Sequence, residues 1–104
     1  MDEIIHPEQI VGAWAHSHEE DVPGRTIFRH GDFKFPPSRG RRSLEFLQNG
    51  EVREGRPGPD DRRQWNVGSW TLHGRRLNIQ FPGRPEEIFD IDDIDSGRIA
   101  VHRD

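Results

Sequence analysis

Short runs of alternating apolar and polar residues, broken by Gly, Pro, Asn and Asp, cover most of this chain, and helical spacing is weak everywhere. The alternation is cleanest where Leu77, Ile79 and Phe81 stand against Arg76, Asn78 and Gln80, which predicts a strand with one dry and one wet face. The same pattern predicts strands over residues 10–18, 25–29, 43–48, 51–54, 64–73, 76–81, 86–92 and 98–103. A short helical turn begun at His6-Pro7-Glu8 and ending by Gly12 is the alternative for the start of the first. Asn49-Gly50 reads as a type I′ hairpin turn, which needs positive φ at both central residues, and a second hairpin turns at His73-Gly74. Connectors this short favour antiparallel neighbours. The expected fold is therefore all-β: one small antiparallel up-and-down β-barrel of about eight short strands, filling residues 1–104 as a single domain.

Two Gly-x-Trp elements sharpen that picture, Gly12-Ala13-Trp14 and Gly68-Ser69-Trp70. Each sits in a strand-like run, where glycine lets the backbone bend and a large indole can plug one end of a barrel. Hydrophobic residues make up only 30% of the chain, so the core must lean on the three Trp and six Phe.

Composition narrows the function classes. With no cysteine, disulfides, thiolate metal ligands and a cysteine nucleophile are excluded. The N-terminal residues lack a basic, apolar leader and no run approaches the ~20 residues of a membrane helix, so a soluble, cytoplasmic protein with no membrane contact is expected. A formal charge of −4 argues against nucleic-acid binding, although 14 of the 15 basic residues are arginine, which suits carboxylate or phosphate partners. No Gly-x-Ser-x-Gly element, phosphate-cradling loop or calcium loop is present, and no cofactor is called for.

Candidate chemistry gathers at the end of the first strand. Alternation places Trp14, His16, His18 and Glu20 on one side, so the two imidazoles would project in parallel, near enough to share a metal ion or to work as acid and base beside a carboxylate. The ordinary alternative is a network in which Glu19, Glu20 or Asp21 receive Arg39, Arg41, Arg42 or Arg62 and pin the long connectors, residues 29–42 and 53–63, to the barrel rim. Those connectors exceed hairpin length, and long loops on a small scaffold are where function tends to sit.

Ile10-Val11-Gly12-Ala13-Trp14, the strand and turn from Leu44 to Val52, and the hairpin from Gly68 to Leu77 together resemble the lipocalin-like, or calycin, β-barrels. His16 to Asp21, Phe35 to Arg41 and Gly58 to Arg62 are similar to segments of small bacterial barrels of this type with no assigned activity. The resemblance implies a cup that binds a small hydrophobic molecule, although aromatic side chains leave eight short strands little interior volume.

The leading expectation is a small-molecule binding protein with Trp14, Phe46, Trp65 and Trp70 as walls, His16, His18 and Glu20 at the polar cluster, and Arg39 or Arg62 fixing an acidic group. Second is a protein-interaction module or homodimer with a filled barrel, which would use a sheet edge or the Pro36-Pro37 loop. Third is an enzyme built on His16, His18 and Glu20. Either a monomer or a homodimer fits the sequence.

Overall fold

The computed structural model describes residues 5–37, 41–57 and 63–102. Its elements are a short helix α1 (Pro7–Ile10), β1 (Gly12–His16), a 3₁₀ turn (His18–Glu20), β2 (Arg25–His30), β3 (Ser43–Phe46), β4 (Glu51–Pro57), β5 (Arg63–His73), β6 (Arg76–Gln80), β7 (Glu87–Ile94) and β8 (Arg98–His102). The eight strands close into one antiparallel, up-and-down barrel in the order β1-β2-β8-β7-β6-β5-β4-β3. Strands β3 to β8 follow one another as a meander; the β1–β2 hairpin closes the ring with its two strands exchanged, so that β1 pairs β3 and β2 pairs β8.

That exchange explains the long connector after β2. β2 ends beside the start of β1 and β3 begins beside its end, so the connector, described over residues 31–37 and 41–42, leads from one end of β1 to the other. The Gly31 N–H donates to Ala13 O at one end of the path, and the His16 N–H donates to Arg42 O at the other. The described parts of the connector are anchored to β1 at both ends, as a strap rather than a free loop.

Inward positions alternate as the sequence predicts. Trp14, Phe28, Leu44, Phe46, Val52, Trp70, Leu77, Ile79, Phe89, Ile91, Ile99 and Val101 form one core, joined by Phe81 from the turn after β6. Both Gly-x-Trp elements serve the end that α1 closes. At φ +136, Gly12 turns the chain from α1 into β1, so that the Trp14 indole packs inward and donates from Nε1 to Ile10 O at 2.9 Å. The Trp70 indole packs edge-on to Phe46 and donates to Leu47 O. Gly68 answers a different need: a Cβ there would lie 2.2 Å from Gln80 O, so only glycine lets the end of β6 pass this close to β5.

Three local expectations need correction. The first strand stops at His16, because the chain leaves the sheet and forms the 3₁₀ turn that packs on β2. The β3–β4 connection closes between Leu47 and Glu51, whose N–H···O bond is 2.8 Å long, leaving three residues in the loop with Gly50 at φ +91. It is thus a three-residue loop, not a two-residue type I′ turn. Residues 53–63 are mainly not a loop: β4 reaches Pro57 and β5 starts at Arg63, extending the hairpin as a ribbon. The His73–Arg76 pair closes a two-residue turn in which Gly74 has φ +63, as read from the sequence.

Candidate functional site

An eight-stranded barrel is just wide enough for side chains to fill, and this one is filled. The interior void measures about 10 Å³, lined only by apolar side chains such as Trp14, Phe28, Leu44 and Phe89. That is room for at most about one water molecule, with no polar partner to hold it. Phe46 and Trp70, expected as pocket walls, are core residues. Trp65 is not a wall either: it lies on the outer side of the β4–β5 ribbon, 59% exposed.

The polar cluster after β1 is assembled differently from its sequence pattern. His16 keeps its inward position at the barrel rim, beside the Phe28 ring at 5.5 Å, and its Nε2 is 2.7 Å from Asp21 Oδ2. Asp21 is itself held by the Ile27 N–H on its other oxygen. The His18 ring stands edge-on to that of His16 at 6.0 Å, and its Nε2 lies 3.7 Å from Glu19. Glu20 does not join them. Once the strand ends at His16 the two-residue alternation is lost, and the 3₁₀ geometry turns Glu20 toward Arg29, which grips it with two bonds of 2.6 and 2.8 Å while Ser17 Oγ donates to it at 2.7 Å.

Glu19 and Arg41 make a second two-bond pair at 2.7 and 2.9 Å. Hydrogen bonds from Arg41 hold the Glu19 carboxyl at about 2, and those from Arg29 and Ser17 hold Glu20 at about 2, both well below the usual carboxylate range. Each arginine also lies over a strap phenyl ring, Arg29 over Phe33 at 4.7 Å and Arg41 over Phe35 at 4.3 Å. The two carboxylates therefore tie the strap to the barrel through Arg29 and Arg41, which is the pinning alternative with one arginine, Arg41, as expected. Arg39 and Arg62 lie outside the described residues.

What this cluster can do chemically is limited. A carboxylate orients the His16 imidazole, but Ser17, the hydroxyl next to it in sequence, is committed to Glu20. Among the described residues, no group of three His, Asp or Glu side chains is placed to hold a metal ion.

Sequence reasoning passed over the strongest polar constellation. Glu54, with 0% exposure, faces inward at the barrel end opposite α1, two positions after the core residue Val52. It accepts from Arg42 Nε at 2.6 Å, from Arg84 at 2.9 and 3.4 Å and from Asn66 at 3.3 Å. Arg42 in turn donates twice to Glu87, at 2.6 and 3.0 Å. Burial works against the Arg42 charge, but the bonds to Glu87 and the field of Glu54 outweigh it and raise its pKa. Three strands, β4, β5 and β7, thus meet the end of the connector before β3 and the β6–β7 turn in one ionic plug. Alternation in the predicted strand 51–54 already put Glu54 on the side of Val52; its partners are far away in sequence and left no signal.

Outside the barrel, a cleft of about 370 Å³ beside α1 is lined by Glu8, Gln9, Val11, Trp14, His30, Asp95 and Ser96. There the His30 ring meets the Trp14 indole edge-on and Nδ1 lies 2.9 Å from Asp32. The β4–β5 ribbon is the other distinctive surface. β6 pairs β5 only from Ser69 onward, so among the described residues the sheet ladder over Arg63–Gly68 runs on the β4 side alone. Trp65 and Val67, 59% and 50% exposed, share its outer face.

No protein-family profile, curated protein or solved structure matches the chain. Architecture is what remains to compare: the closed, eight-stranded antiparallel barrel is compatible with a lipocalin-like fold. No helix among the described residues is long and apolar enough to cross a membrane.

Proposed function

We propose that this chain is a protein-interaction module, a filled lipocalin-like barrel that presents the β4–β5 ribbon to an extended strand of a partner. The observation that carries the reading is the one-sided ladder of β5 over Arg63–Gly68, with Trp65 and Val67 exposed on its outer face. A closed barrel abolishes sheet edges, so an edge retained on a projecting ribbon is the place where strand addition is possible. The packed interior supports the same reading, since a void of about 10 Å³ cannot admit a ligand of several heavy atoms.

Tryptophan emission provides the test. Trp14 and Trp70 are buried, so acrylamide-accessible emission belongs to Trp65. Short neutral peptides of alternating Thr and Val are expected to lower that accessibility and to slow amide exchange across residues 63–68. Unchanged exchange at 63–68 with every strand probe refutes the module.

A second reading keeps a small ligand but moves it outside, to the cleft beside Trp14 and His30, which at about 370 Å³ falls in the usual range for small-molecule sites. Native mass spectrometry of the purified protein separates the two: a stoichiometric retained small molecule favours the cleft.

A further inference from the structure

We propose that the strand received by the β5 edge is the same edge of a second copy of this chain, paired antiparallel about a two-fold axis near Trp65. The proposal rests on the reading of the ribbon as the interaction surface and names its partner. An isologous dimer needs only one self-complementary patch, and two β5 edges run antiparallel across a two-fold axis without further adjustment.

The backbone is oriented for it. The Trp70 N–H donates to Gly50 O on the β4 side of the ladder. Peptide groups alternate sides along a strand, and the β4–β5 register is unbroken from Ser69 to Arg63, so the Val67 and Arg63 groups point away from β4. These are the groups that a β5 strand from another copy would meet.

Charge selects the occupant. Identical chains bring like charges together wherever a charged residue lies near the axis. Residues 64–73 contain no Asp, Glu, Lys or Arg, in a chain where such residues make up 33% and the net charge is −4. Arg63 is the charged residue of the edge itself, and with the axis near Trp65 it stands opposite Val67 of the other copy rather than opposite its own counterpart, so a copy can approach without like charges directly opposed. Nor do residues 63–68 include the Lys or Pro with which exposed edges are commonly blunted. Trp65 and Val67 supply the apolar face that the copy would cover.

Pairing about five residues a side buries less than the roughly 1,000 Å² of a firm interface, so the dimer is expected to be concentration-dependent. Sedimentation of the full chain from about 5 to about 500 µM spans the affinities expected of so small an interface. The expected result is a rising dimer fraction, with exchange at 63–68 slowing as it rises.

Two variants give the control. Val67→Pro removes an N–H that the β4 ladder does not use, and Val67→Lys places a charge on the edge; each is expected to weaken dimerisation at least about tenfold while the far-UV spectrum stays that of a barrel. The lysine variant decides the matter if the proline variant does not fold. A monomer at every concentration whose 63–68 amides are protected by Thr/Val peptides overturns the second copy and leaves the interaction module standing. A monomer with no such protection overturns both. A dimer that survives both variants with 63–68 unprotected also overturns the proposal, because the copies then meet elsewhere.

Discussion

Removing the Glu54 carboxylate tests whether the barrel end opposite α1 is held by charge. Glu54 is fully buried and takes donors from Arg42, Arg84 and Asn66. Glu54→Ala leaves Arg42, itself only 14% exposed, with Glu87 as its carboxylate partner. Breaking a buried pair by deleting one member costs about 3–5 kcal/mol, because the surviving charge stays desolvated. Against a total stability of about 5–15 kcal/mol for a domain of this size, that is a large share. At about 4–8 °C per kcal/mol the melting temperature should fall by roughly 12 °C or more. Glu54→Gln keeps the shape and one acceptor oxygen and should cost less. Urea unfolding at neutral pH, followed by circular dichroism and tryptophan emission, reads the loss as a lower midpoint at unchanged slope. The double variant Glu54→Ala/Arg42→Ala should lose less than the two single losses added, by about 1 kcal/mol or more, since both act on one bond network. If Glu54→Ala costs under about 1 kcal/mol, the carboxylate is solvated and the ionic plug is not what closes this end.

Two further expectations follow from the packing and the charges. Gly68→Ala drives a methyl into Gln80 O and the Phe81 ring, and should cost at least about 2 kcal/mol, whereas Gly83→Ala, with open space around it but φ +75, should cost less; paired melting curves decide it. Glu19 and Glu20 are held at about 2, below their unfolded values near 4.5, so their contribution to stability is present above pH ~4.5 and is lost as pH falls toward 2. Melting temperature should therefore drop across that window, and the drop should shrink in Arg29→Met and Arg41→Met; an equal drop in those variants contradicts the assignment.

Local pattern carried the fold a long way. Alternation located all eight strands, because burial on one face writes a period of two into each of them, and Gly74 marked its turn by chemistry confined to adjacent residues. The sequence also placed Trp14, Phe46 and Trp70 in the interior, since large aromatics in a chain this polar must supply the core. It misjudged Trp65 for the same reason: an indole reads as core wherever it occurs, yet the ribbon carries Trp65 beyond the point where β6 pairs.

What only the tertiary structure decided depends on separations that no local pattern records. The exchange of β1 and β2 in the ring follows from which edges meet at closure, and it makes a strap of the connector described over residues 31–37 and 41–42. Glu20 left the histidines because a 3₁₀ turn replaced the last strand residues and Arg29, nine positions on, was there to receive it. The union of Arg42, Glu54, Asn66, Arg84 and Glu87 likewise joins residues up to 45 positions apart. Periodicity states which way a side chain points from its own strand; barrel closure alone states what it meets there.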